Sequence, residues 1–255
     1  MDLKVILFVC CFVFLAGLID SIAGGGGLIS LPAYIASGIP VHVALGCNKF
    51  SSACGSTVSS LRFWKNKKVH IRTVVVSVIC ALAGSAAGAG TVLLVDDYLF
   101  RIILISTIPI VGIFVTLKKD FGIQNEVDKL NKRKVMILSA LIGLGIGFYD
   151  GFLGPGTGTF LIFCYALLLH FDLVTASGNA KLVNLSSNIG ALIMFLIHGQ
   201  VYFVLAVPAA FFGIAGNYIG SGLALKNGSR VIKPVFLIAL GLLIVNLIYS
   251  IVQRA

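Results

Sequence analysis

The sequence predicts an all-α polytopic membrane protein, and three observations carry that prediction. Its 255 residues are 58% hydrophobic and only 11% charged, its apolar runs are long and unbroken, and most of its basic residues gather in three short loops. With a mean hydropathy of +1.06 the chain has too little polar surface to stay in water. Runs such as VVVSVICALAGSAAGAGTVLLV (Val74 to Val95) and VFLIALGLLIVNLIYSIV (Val235 to Val252) are long enough to cross about 30 Å of hydrocarbon as helices. Lipid admits only helices and closed barrels, because each backbone polar group must be satisfied internally, and continuous rather than alternating apolarity selects helices.

The loops set the orientation. Of the 19 basic residues, five lie in Arg62 to Arg72, six in Lys118 to Lys134 and three in Lys226 to Lys233. This clustering is the signature of cytoplasmic connections, so the net charge of +10 reports orientation in the lipid bilayer, the expected partner, and not a nucleic-acid partner. Cys10, Cys11, Cys47, Cys54, Cys80 and Cys164 lie among apolar residues with no CxxC spacing, which is the pattern of small buried hydrophobes. Neither a disulfide framework nor a metal site is expected, and no cofactor is implied.

Internal similarity organises the chain into two copies of one unit. GLIDSIAGGGG (Gly17 to Gly27) aligns with GFYDGFLGPGT (Gly147 to Thr157) at an offset of 130, placing Asp20 on Asp150. At an offset of 132, ALGCNKFSSACGS (Ala44 to Ser56) aligns with ASGNAKLVNLSSN (Ala176 to Asn188), and AGSAAGAG (Ala83 to Gly90) with AGNYIGSG (Ala215 to Gly222). The expected organisation is a first membrane repeat over 1–117, a charged cytoplasmic linker over 118–134 and a second repeat over 135–255.

Each repeat divides into five apolar segments. The first segment, 3–22, has the basic start and apolar run of a signal peptide, but its recurrence at 135–151 marks it as a retained helix. The second segments, 28–38 and 157–171, are short and follow glycine clusters. The third, 44–64 and 175–197, carry the lysines, and the fourth, 71–94 and 201–224, carry the small-residue stripes. The fifth are 98–117 and 231–252. Corresponding loops have opposite character: RFWKNKKVHIR (Arg62 to Arg72) is basic where IHGQV (Ile197 to Val201) is not, and KNGSRVIK (Lys226 to Lys233) is basic where VDDY (Val95 to Tyr98) is acidic. Equivalent helices then cross in opposite directions, giving two inverted-topology repeats with both termini on the non-cytoplasmic side of a cell membrane.

Short, Gly/Pro-interrupted segments at matching places in inverted repeats point to a central transport site, with the broken helices meeting near the bilayer midplane. The turns Gly24, Gly25, Gly26, Gly27 and Gly154, Pro155, Gly156, Thr157, Gly158, Thr159 each precede a helix. Glycine allows close backbone approach, Pro155 suits a helix start, and unpaired N–H groups at a helix N-terminus receive oxyanions. Lys49 and Lys181 stand in apolar context beside the amides Asn48, Asn179 and Asn184. Three readings stand for them: a positive point for an anionic substrate, one half of a structural pair with Asp20 or Asp150, or a lysine snorkelling to the membrane interface. The aspartates are either those partners or carriers of a coupling proton. AGSAAGAG reads as tight helix packing, and Asn188 and Asn217 as path-lining or interhelical hydrogen-bonding residues. His42, His70, His170 and His198 fall at loop edges; an embedded enzyme would need them to converge with Asp172, and no HExxH, CxxC or GxSxG supports that reading.

The two segments GLIDSIAGGGGLISLPAYIASGIPVHVALGCNKFSSACGS and GFYDGFLGPGTGTFLIFCYALLLHFDLVTASGNAKLVNLSSN closely resemble the paired signatures of the sulfite exporter TauE/SafE-like family, also called toluenesulfonate uptake permeases. The resemblance runs over essentially the whole chain. It implies a permease for a small sulfur-containing anion such as sulfite, sulfoacetate or another organosulfonate, with Gly24 to Gly27, Gly154 to Gly158, Asn48, Lys49 and Lys181 matching the family's motifs. A homodimer and protons as coupling ion are compatible with it. An accessory protein without transport is the remaining alternative. The sequence has no GxxxxGK[ST] loop, so ATP is not expected as the direct energy source unless a partner supplies it.

Overall fold

The computed structural model describes residues 2–96, 99 and 125–235, and every regular element among them is helical. In chain order these are α1 (Leu3–Ala23), α2 (Gly27–Ala36), α3 (Val41–Lys65), α4 (Ile71–Val92), a 3-10 turn (Val127–Lys129), α5 (Lys132–Phe152), α6 (Thr157–Leu168), α7 (Leu173–Ile197) and α8 (Phe203–Asn227). Eight of the expected segments are therefore helices. The expected segment 98–117 apart from residue 99, positions 236–252 of the segment 231–252 and part of the linker lie outside the described residues.

Where the bounds differ, capping explains it. The Asp172 carboxylate accepts the N–H groups of Val174 and Thr175 at 3.0 and 3.1 Å, so α7 starts ahead of its apolar run. Asn131 accepts the Arg133 N–H at 2.9 Å and starts α5 within the basic loop. A side-chain oxygen at the N-cap satisfies one of the donors that a helix start leaves over.

Among the described residues five helices, α1, α4, α5, α7 and α8, are long and apolar enough to cross a membrane. Large apolar side chains such as Leu15, Ile79, Leu141 and Phe211 point outward, while Asn48, Lys49, Ser56, Ser59 and Asn179 are buried. This is the reverse of a water-soluble protein, and the chain is a multi-pass membrane protein. The 25 residues of α3 fall short of the apolarity of its neighbours because one of its faces is this polar interior.

The two halves are intertwined. α1 packs chiefly on α8, and its counterpart α5 on α4. Small residues allow the contact: a Cβ added at Gly84 or Gly88 would overlap the carbonyl oxygen of Leu144 or Phe148, and one at Gly216 or Gly220 that of Phe14 or Leu18. Backbones meet this closely only through such stripes, as the pattern AGSAAGAG implies. The contacts also fix direction. Gly216 meets Phe14 and Gly220 meets Leu18, so α1 and α8 run parallel, as α4 and α5 do. By contrast, Gly46 near the start of α3 abuts Gln200 beyond the end of α7, while Gly178 near the start of α7 abuts Lys68 beyond the end of α3. The equivalent helices α3 and α7 therefore run antiparallel.

Candidate functional site

Two glycine turns meet at the centre of the bundle. α1 closes with the Gly24 N–H donating to the Asp20 carbonyl at 2.8 Å, and Gly24 and Gly25 then take φ of 76° and 87°. A Cβ at Gly24 would run into the backbone of Gly158 and Thr159, so only glycine fits on both grounds. In the second half, Gly154 and Gly156 have φ of 91° and 83°, and α6 begins at Thr157. The Tyr149 hydroxyl donates to the Pro155 carbonyl at 2.6 Å and ties this turn down. Gly27 faces Pro155 and Gly154 from the other turn.

Each turn holds an aspartate, and each aspartate holds a lysine of the other half. Lys49 Nζ lies 2.8 Å from Asp150 Oδ2, and Lys181 Nζ lies 2.7 Å from Asp20 Oδ2. The pairs thus cross between halves; Asp150 does not partner Lys181 of its own half. Within the bundle a lone charge is very costly, and pairing with hydrogen bonding is what makes these four residues tolerable. The surroundings differ. Thr157 Oγ1 donates to Asp150 Oδ1 at 2.7 Å, whereas Asp20 Oδ1 accepts the Gly26 N–H at 3.3 Å. Asp150's side chain is 3% exposed and Asp20's 17%.

A cavity of about 30 Å³ adjoins both turns, above the ~10–15 Å³ that one water needs. Among the residues singled out from the sequence, Gly25, Gly26, Gly27, Gly154, Gly156 and Gly158 line it. So do Asp20, Asn48, Lys49, Asp150, Thr157 and Asn184. Four others do not. Gly24 is packed against Gly158, Pro155 is bound by Tyr149, Thr159 Oγ1 donates to the Ala23 carbonyl at 3.3 Å, and Lys181 sits behind Asp20.

The cavity also includes Ser30, Ser51, Ser52, Asn188 and Asn217. Ser30 donates to Asn48 Oδ1 at 2.6 Å, and Tyr34 donates to Ser51 at 3.0 Å. The serines escape sequence reading because hydroxyls bonding back to their own helix are common in membrane spans. Only the packing distinguishes them: Ser51 and Ser52 lie one turn beyond Asn48 on α3, and Ser30 reaches Asn48 from α2.

The histidines do not converge. His42 Nε2 lies 3.1 Å from the Val92 carbonyl and His198 Nδ1 2.8 Å from that of Met194. At the other end of the bundle, the His70 ring packs on Phe171 beside His170 and Asp172, whose carboxylate is committed to capping α7. Among the described residues no group of histidines, cysteines and carboxylates is arranged to hold a metal ion. The site is thus a small polar chamber with amide, hydroxyl and backbone groups around paired charges.

The chain is 32% identical over 249 residues to "Probable membrane transporter protein" of Haemophilus influenzae, covering 98% of this chain and 96% of that one. It is 33% identical over 248 residues to "Probable membrane transporter protein YfcA" of Escherichia coli K12, covering 97% and 90%. A Sinorhizobium relative, "Probable membrane transporter protein ORF9", is 32% identical over 232 residues, covering 91% and 87%. No solved structure matches the chain. The model of the family described as Sulfite exporter TauE/SafE matches residues 9–247. With that match spanning nearly the whole sequence, the chain belongs to the sulfite exporter TauE/SafE family.

Proposed function

We propose that the protein is a secondary transporter, not an enzyme, and that it moves a small sulfur-containing anion such as sulfite, sulfoacetate or another organosulfonate. The observation that carries this reading is the central chamber, where two glycine turns, two helix starts and crossed Lys–Asp pairs from both halves adjoin one cavity. The antiparallel course of α3 and α7 supports two inverted repeats rocking about that point in alternating access, with both termini outside the cytoplasm.

Each lysine has a carboxylate as resident counter-ion, so a bare anion entering the chamber must compete with it. A proton on Asp150 releases Lys49, which lines the cavity, and the anion takes the vacated charge together with N–H donors from the first turn of α6; a proton on Asp20 removes the negative charge that the cavity wall sets in front of Lys181. One proton then travels with one negative charge, and uptake becomes electrically neutral. Without the proton, a membrane potential negative inside expels the anion at about 2.3 kcal/mol per charge per 100 mV. Export by this scheme needs no coupling ion and uptake does.

A thermal-shift screen of the purified protein against sulfite, sulfate, thiosulfate, sulfoacetate and carboxylate analogues tests the substrate class. A ligand that binds only the folded state raises Tm. Stabilisation by sulfite or a sulfonate above that by carboxylates is expected; stabilisation by none of the sulfur anions argues against the assignment.

A further inference from the structure

We propose that Asn217 makes the chamber selective for anions that carry a hydrogen-bond donor of their own. This rests on the anion reading above and narrows it.

Asn217 lies on α8, is 4% exposed and lines the cavity. Its Nδ2 donates to the Gly213 carbonyl at 3.0 Å. That bond fixes the amide, because the flipped orientation would set Oδ1 against a carbonyl oxygen. Gly17 and Gly55 leave the room this orientation requires, since a Cβ at either would press on Nδ2. The Asn217 Oδ1 is then a buried acceptor with no donor among the described residues. Buried acceptors are nearly always satisfied, and an unmet one beside a cavity calls for a donor from whatever fills it.

The other half lacks this feature. The equivalent position is Ser85, whose hydroxyl donates back to the Leu82 carbonyl at 3.2 Å, and Gly190 packs directly over it. Acceptor and cavity therefore occur together on one side only. An oxyanion without protons presents lone pairs to Oδ1 and is repelled there. A monoprotonated oxyanion such as hydrogensulfite, or a sulfonate bearing O–H or N–H, satisfies Oδ1 while its remaining oxygens face Lys49, Thr157 and the glycine turns. Sites that hydrogen-bond a ligand group discriminate strongly against analogues lacking it, because a buried polar atom is then left unpaired.

Sulfamate and methanesulfonate isolate this contribution. They are monoanions of nearly the same size, one ending in N–H donors and the other in a methyl. Calorimetric titration of the full chain in detergent is expected to give sulfamate the tighter binding by roughly 10-fold or more. In Asn217→Leu, which keeps the side-chain shape, the ratio falls to about one; Asn217→Ala repeats the test with a smaller side chain should leucine prevent folding. Equal affinities in the wild type, failure to bind sulfamate, or a preference that survives in the variants overturns the selectivity. Sulfite flux in proteoliposomes decides the anion reading separately: if it persists, transport stands without this role for Asn217, and if it too is absent, both fall.

Discussion

Lys49 of the first half and Asp150 of the second form a buried ion pair of 2.8 Å, and the relation is repeated between Lys181 and Asp20 at 2.7 Å. Each repeat supplies the counter-ion of the other. Each buried lysine therefore depends on the other half for its neutralisation, beside the point where the two glycine turns meet.

Removing one member of a pair strands the other. Lys49→Met or Asp150→Asn should lower stability by about 3–5 kcal/mol, whereas Lys49→Met combined with Asp150→Leu should recover most of that loss. Unfolding in mixed micelles checks the cycle. Additive losses in the double variant would mean that the two residues do not depend on each other.

Thr157→Val keeps the side-chain shape and deletes the hydroxyl that donates to Asp150 Oδ1. A cost of about 1–3 kcal/mol is expected, since the buried acceptor loses its donor. No counterpart exists in the first half, where Gly27 stands at the matching position. An unchanged Tm in Thr157→Val would place the bond outside the structure's support.

The small-residue stripes make a steric prediction with its own control. Gly88→Val and Gly220→Val should each prevent a folded, monodisperse preparation, because the added atoms meet the backbone of the facing helix. Gly145 on α5 has open space around its Cα, so Gly145→Ala should hold or raise stability by up to about 1 kcal/mol. Size-exclusion profiles and Tm of the three variants decide this; normal profiles for the valine variants would contradict the packing.

Proton coupling should reside in Asp20. Both carboxylates border the cavity, but the Asp20 side chain is the more exposed, while Asp150 is held by both Thr157 and Lys49. Flux into proteoliposomes should rise with an acid exterior in the wild type and become indifferent to the gradient in Asp20→Asn. Undiminished stimulation in Asp20→Asn would remove the residue from that role.

Much of the architecture is legible in the sequence. Apolar runs bounded by glycine, proline and charge place α1 to α8 within a few residues, and the offsets of 130 and 132 reappear as contacts: Gly46 on Gln200 answers Gly178 on Lys68. The glycine turns and four central charges are legible too, since little else explains them in lipid. Which lysine meets which aspartate is not. Asp150 and Lys181 share a half and are neighbours in sequence terms, yet the intertwining of α4 with α5 and α1 with α8 sends each lysine across. Nor is the one-sidedness of the cavity legible, because Asn217 and Ser85 are both ordinary polar residues of membrane helices until the packing around them is known.

In the proposed transport cycle an anion passes through the chamber where these pairs meet. The most direct test is uptake of radiolabelled sulfite by proteoliposomes holding the wild type or the Lys49→Met, Asp150→Leu double variant, after matched Tm values establish that both are folded. Robust flux in the wild type and its loss in the variant are expected. Equal flux in the two would place the path elsewhere.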